Sequence, residues 1–128
     1  MHLLLDTHVL LWAAGEPGRL TPRARELISS TENVLWFSAA SIWEVAIKSG
    51  LGRSDFRADP HLLCRGLIEN GYRELAITSQ HTAAVTHLPD VHKDPFDRIL
   101  VVQAETEGLL LLTVDEVLQR YPGPIQRI

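Results

Sequence analysis

Four short apolar runs, at residues 2–5, 34–37, 74–77 and 109–114, recur along the chain, each bounded by polar or turn-forming residues. Their length and their boundaries predict buried strands. Residues 124–128 add a candidate edge strand. Between the runs, Thr21-Pro22, Asp59-Pro60 and Asp94-Pro95 each set a capping side chain before a proline. Proline is tolerated at the first helical position because its missing N–H would have no partner there, so three helix starts are marked. Gly15, Gly50, Gly71 and Gly108 stand where helices should stop, as left-handed C-terminal caps. Strand–helix alternation with buried strands predicts a mostly parallel sheet of four to five strands, covered by helices on both faces. In such sheets ligands bind beyond the carboxyl ends of the strands.

No repeat, low-complexity tract or Ser/Gly linker divides the chain, which predicts one domain over residues 1–128. A chain of that length buries roughly two-thirds of the surface its unfolded form exposes, so it needs no staple. Cys64 is alone, which rules out an internal disulfide, a Cys/His metal knuckle and a CxxC redox pair, and fits a reducing compartment. The opening Met1-His2-Leu3-Leu4-Leu5-Asp6 lacks the length and basic flank of a signal peptide, and the later apolar run at 109–114 is far short of a membrane span. The expectation is a soluble, cytoplasmic protein with no membrane partner.

A formal charge of −4 argues against a protein that coats a phosphate backbone with lysine and arginine. It leaves room for an enzyme that cuts phosphodiesters with divalent cations, since such enzymes need acidic clusters. Most of the base, from Arg19 to Arg65, lies in the first half, and reads equally as a solvated surface or an RNA-facing patch.

Four acids, Asp6, Glu44, Asp97 and Asp115, merit weighing, with Asp94 beside them. Asp6 ends the first apolar run, at the carboxyl end of a predicted strand; it reads as a helix cap or as a site residue. Glu44 belongs to a helix that is apolar nearly all round, where Ser41, Glu44 and Lys48 form the only polar stripe. It reads as half of a solvent-facing Glu44–Lys48 pair, or as a buried carboxylate in need of a cation. Asp94 and Asp97 open the next helix; Asp94 suits the cap and the helix dipole, whereas Asp97 shares its helix with Ile99, Leu100, Val101 and Val102, and Arg98 is placed to neutralise either acid. Asp115 repeats the Asp6 situation at the end of the 109–114 run. The topology would deliver all of these to one rim, and one shared site explains them more simply than four separate coincidences.

Together these residues resemble the PIN-domain family, in particular VapC-type toxin ribonucleases. The resemblance spans the chain: Leu3-Leu4-Leu5-Asp6-Thr7-His8, then Ser41-Ile42-Trp43-Glu44-Val45-Ala46-Ile47-Lys48 with Leu51-Gly52-Arg53, then His92-Lys93-Asp94-Pro95-Phe96-Asp97-Arg98 with Gln103-Ala104, and Thr113-Val114-Asp115. It implies a three-layer α/β/α sandwich and an Mg2+- or Mn2+-dependent endoribonuclease. It also implies a homodimer and a cognate antitoxin protein that covers the site. Asp6, Glu44, Asp97 and Asp115 match the family's metal-binding acids, with Asp94 as an accessory.

Carboxylates a few Å apart repel by about 4 kcal/mol per pair at an effective dielectric near 20, and a divalent ion relieves this at neutral pH. Oxygen ligands select magnesium or manganese over zinc. Asp6, Glu44 and Asp97 are expected to hold the metal, with Asp115 completing the shell or orienting water, and Thr7, Ser38, Ser41 and Thr113 as supporting donors. His81 and His87 read as surface residues, His92 stands near the acids without being counted among the ligands, and Trp12, Trp36 and Trp43 read as core. The alternative function is a catalytically silent RNA- or protein-binding module of the same fold. A phosphatase or a receiver-like domain fits less well, for want of a Gly-rich phosphate loop or paired acids after the first strand.

Overall fold

The computed structural model describes residues 1–128. Five strands, β1 (His2–Leu5), β2 (Val34–Ser38), β3 (Arg73–Leu75), β4 (Leu110–Thr113) and β5 (Ile125–Arg127), form one sheet in the order β3-β2-β1-β4-β5, with every neighbouring pair parallel. Six α-helices connect them: α1 (Thr7–Gly15), α2 (Pro22–Ser29), α3 (Ala39–Gly50), α4 (Pro60–Glu69), α5 (Ser79–Ala84) and α6 (Pro95–Glu107).

Side chains alternate across a strand, so one run of leucines feeds two cores. Leu3 and Leu5 of β1, Phe37 of β2 and Leu112 of β4 pack on one side with Val9 and Leu10 of α1, Ala24 of α2 and Leu63 and Leu67 of α4. Leu4 and Leu111 pack on the other side with Leu100, Val101 and Ala104 of α6, Leu118 and Tyr121. The result is a three-layer α/β/α sandwich.

All three cap-proline pairs start helices: Thr21 accepts from the Ala24 N–H, Asp59 from His61 and Leu62, and Asp94 from Phe96 and Asp97. Of the four glycines expected to be left-handed, Gly71 (φ 86°) and Gly108 (φ 69°) are. Gly15 and Gly50 instead finish the last turns of α1 and α3, and the left-handed residue after α3 is Gly52 (φ 76°). The third strand begins and ends earlier than the apolar run at 74–77. The Tyr72 N–H closes α4 on the Leu67 carbonyl, which sends the chain directly into β3, while the Ala76 carbonyl leaves the ladder to accept from Gln103.

The chain steps from β1 to β2 and β3 in one direction, then returns to place β4 on the opposite side of β1. The carboxyl ends of β1 and β4 therefore flank a topological switch point, where parallel sheets open a crevice. No helix is long and apolar enough to cross a membrane.

Candidate active site

Asp6 follows β1 at that switch point and is 4% exposed. It caps α1 and also reaches β4: Oδ1 accepts the Val9 N–H at 2.9 Å, while Oδ2 accepts the hydroxyl of Thr113 from the end of β4. Burial raises its pKa, with the Thr113 and Val9 bonds opposing the rise.

Glu44, 3% exposed on α3, lies close enough for its charge to act on Asp6. Its Oε1 accepts the Thr7 hydroxyl at 2.6 Å; the same hydroxyl lies 3.0 Å from Ser41 Oγ. Its Oε2 pairs with the Lys48 ammonium, which also lies 3.6 Å from Asp94 and over the rings of Phe56 and Phe96. The Glu44–Lys48 pair is thus enclosed, not solvent-facing. Burial works against the charge on Lys48, but the hydrogen bond to Glu44 and the charges of Glu44 and Asp94 hold its pKa above the ordinary lysine value.

Asp97 lies in the first turn of α6, beside the capping Asp94. Burial and the Asp94 charge push its pKa up to about 6, against the hydrogen bond from His92 Nε2 to Oδ2 at 2.7 Å, and the charges of Glu44 and Asp6 add to the rise. Asp6, Glu44, Asp94 and Asp97 therefore share one electrostatic neighbourhood, although they come from three remote parts of the chain. Asp6 and Glu44 are turned onto their own partners. Ligand-type atoms of His92, Asp94 and Asp97 all lie within 4.8 Å of one another.

Asp115 sits on the same rim but is turned into its own loop. Its Oδ1 accepts the Val117 N–H at 2.8 Å, and its N–H donates to Thr113 Oγ1 at 3.0 Å, so its link to Asp6 runs through Thr113. Of the expected supporting donors, Thr7 and Thr113 hold acids and Ser41 pairs with Thr7. Ser38 does not contact an acid: it donates to Gln103 Oε1 at 2.6 Å.

Three expectations fail for physical reasons. Arg98 neutralises neither acid, because its guanidinium is taken by the carbonyls of Val85, Pro89 and His92 and by the Tyr121 hydroxyl. His81 is 1% exposed, not a surface residue: Nδ1 accepts the Thr78 N–H and Nε2 meets Glu107 at 2.9 Å. Trp43 is 58% exposed beside the acids, its ring edge-on to Phe96 with centroids 5.1 Å apart, while Trp12 and Trp36 are half-buried. Sequence reasoning also missed Lys48 as part of the centre. The i, i+4 spacing gave the pair with Glu44; the reach to Asp94 left no signal.

A parallel α/β sandwich with a carboxylate cluster at its switch point defines the class of protein. The chain belongs to the PIN domain family, whose model matches residues 3–124. It is similar to Ribonuclease VapC22 of Mycobacterium tuberculosis (strain ATCC 25618 / H37Rv), with 32% identity over 126 residues, covering 96% of this chain and 95% of the relative. Its fold matches VapBC2 from Rickettsia felis, crystallised with a promoter DNA fragment, at a TM-score of 0.73 and 14% identity over 100% of this chain and 99% of that one. It also matches VapC20 of Mycobacterium tuberculosis, a sarcin-ricin loop cleaving toxin, at a TM-score of 0.58 and 15% identity over 91% and 92% of the two chains.

Proposed function

We propose that this chain is an endoribonuclease that requires Mg2+ or Mn2+ to hydrolyse RNA phosphodiesters, and that it acts as the toxin of a toxin–antitoxin pair. The observation on which this rests is the gathering of Asp94 and Asp97 within 4.8 Å of one another, close enough to Glu44 and Asp6 that burial and their charges push the Asp97 pKa up. A cluster that disfavours its own ionisation in this way is one that a hard cation stabilises. Carboxylate oxygens of Asp94 and Asp97, which lie with a His92 ring nitrogen within 4.8 Å of one another, are of the kind such an ion prefers. Asp6, Glu44 and Asp97 would hold it, and Asp115 would complete the shell or orient the attacking water.

When bound, the ion supplies charge neutralisation at the scissile phosphate and eases deprotonation of the attacking water. The chain itself supplies orientation. Thr113 and the Val9 N–H fix the two oxygens of Asp6, and Thr7 fixes one oxygen of Glu44. The Lys48 ammonium, between Glu44 and Asp94, supplies positive charge at the rim where a phosphate would arrive.

RNA as the substrate is supported by the ribonuclease VapC22 relationship. A protein partner is supported by a groove of about 750 Å3 between α1 and α4, lined in part by Leu11, Trp12, Leu62, Leu63, Leu67 and Tyr72. Its rim also carries Glu16, Arg19, Asp55 and Arg57, so an antitoxin segment with both apolar and charged side chains would suit it. Exposed Trp43, Ile47 and Leu51 suit the contact of a homodimer.

The test is cleavage of single-stranded RNA with Mg2+ or Mn2+, with EDTA, and with Asp97→Asn. Activity should require the metal and fall at least about 100-fold in the variant. Cleavage that survives EDTA, or an unimpaired variant, would contradict the proposal, and RNA binding without any cleavage would indicate the silent binding module.

A further inference from the structure

Asp97 is held by a residue outside the set of acids. His92 Nε2 lies 2.7 Å from Asp97 Oδ2, and the other ring nitrogen, Nδ1, accepts the Asp94 N–H at 3.3 Å. In the neutral ring, a nitrogen that accepts cannot bear the proton, so the proton sits on Nε2 and points at Asp97. The backbone of His92 is fixed in turn. Its carbonyl accepts from Arg98 Nη1 at 3.2 Å and from the Tyr121 hydroxyl at 3.1 Å. The same guanidinium holds the carbonyls of Pro89 and Val85, at 3.1 and 3.3 Å. Arg98 therefore ties down the loop between α5 and α6, and the loop delivers one N–H to one carboxylate oxygen.

We infer that His92 is a positioning residue, whose Nε2–H orients the Asp97 carboxylate toward the cation while Arg98 and Tyr121 hold His92 in place. This rests on the reading that Asp97 is a metal ligand. Hydrogen bonds to ligating carboxylates set their direction, and losing such a partner weakens metal affinity by about 10- to 100-fold. Arg98 thus acts on the acid beside it in sequence indirectly, through a loop, although its own charge is spent on carbonyls.

Mn2+ titration followed by EPR measures affinity without any reaction. His92→Leu should bind Mn2+ about 10- to 100-fold more weakly. His92→Gln, whose amide N–H can occupy the place of Nε2, should recover most of that loss. Tyr121→Phe, which removes one of the two bonds to the His92 carbonyl, should weaken binding about threefold, and keeps the inference testable should His92→Leu not fold. Pulsed EPR of the Mn2+-loaded wild type should show no nitrogen bound directly to manganese. Wild-type affinity in His92→Leu would overturn the inference. So would a directly bound nitrogen that disappears in His92→Gln, since His92 would then be a ligand itself. Asp97→Asn separates the two levels: if it keeps wild-type affinity, the metal site is wrong; if it loses affinity while His92→Leu does not, only the role given to His92 fails.

Discussion

Thr113, the last residue of β4, donates its hydroxyl to Asp6 at the end of β1, 107 positions earlier in the chain, and accepts the Asp115 N–H on the same oxygen. One buried hydroxyl thereby joins the two strand ends that flank the crevice. Thr113→Val keeps the shape but leaves a buried carboxylate oxygen and a backbone N–H short of a partner. It should cost about 1–3 kcal/mol in urea denaturation at neutral pH, and Thr113→Ser should restore most of it. A valine variant within about 0.5 kcal/mol of the wild type would show that this link does not hold the rim together.

Lys48 should matter most when no metal is bound. Its ammonium is the only cationic group paired with Glu44, which is buried. Lys48→Met leaves that carboxylate without its counter-charge, a change that costs about 3 kcal/mol in enclosed settings. Mn2+ should return much of this, because the added ion replaces the lost ammonium. Thermal unfolding in EDTA and in Mn2+ tests both halves. A variant as stable as the wild type in EDTA, or one that gains no more than the wild type from Mn2+, would contradict this view of the centre.

The raised pKa of Asp97 sets the sign of a pH effect. Its folded-state value of about 6 lies above the ordinary 3.8, so the folded protein binds that proton more tightly than the unfolded chain does. The associated stabilisation is full below about pH 4 and is lost as pH rises through about 6. In EDTA, the wild type should lose on the order of 2 kcal/mol relative to Asp97→Asn between pH 4 and pH 7. Over the same window Mn2+ affinity should rise, since the ion displaces the proton. Parallel pH profiles for the two proteins would contradict the shift.

The sheet, its direction and the location of the crevice were legible because they depend on local patterns. Leucines at 3–5 and 109–112 show burial, cap-proline pairs mark helix starts, and strand–helix alternation leaves little choice of topology. That Asp6, Glu44 and Asp97 would be buried or half-buried acids was legible because each stands in an apolar neighbourhood. What was hidden depends on partners distant in sequence. Arg98 is within reach of two acids by spacing alone, and nothing local reveals that Val85, Pro89 and His92 will present three carbonyls to it. His81 is buried by partners 22 and 26 residues away, Gln103 and Glu107. Trp43 misled for a different reason: α3 carries more apolar residues than its buried face can cover, and an all-round apolar helix does not say which side faces out. Asp115 stands at the right strand end, yet its carboxylate closes its own turn.

The central claim is that acids from remote parts of the chain share one cation, and a double-mutant cycle on Mn2+ affinity tests it most directly. Asp6→Asn and Asp97→Asn should each weaken binding by at least about tenfold, and the double variant should be little worse than the weaker single one, because both remove ligands from the same ion. Losses that simply add, or single variants that bind like the wild type, would contradict a shared site.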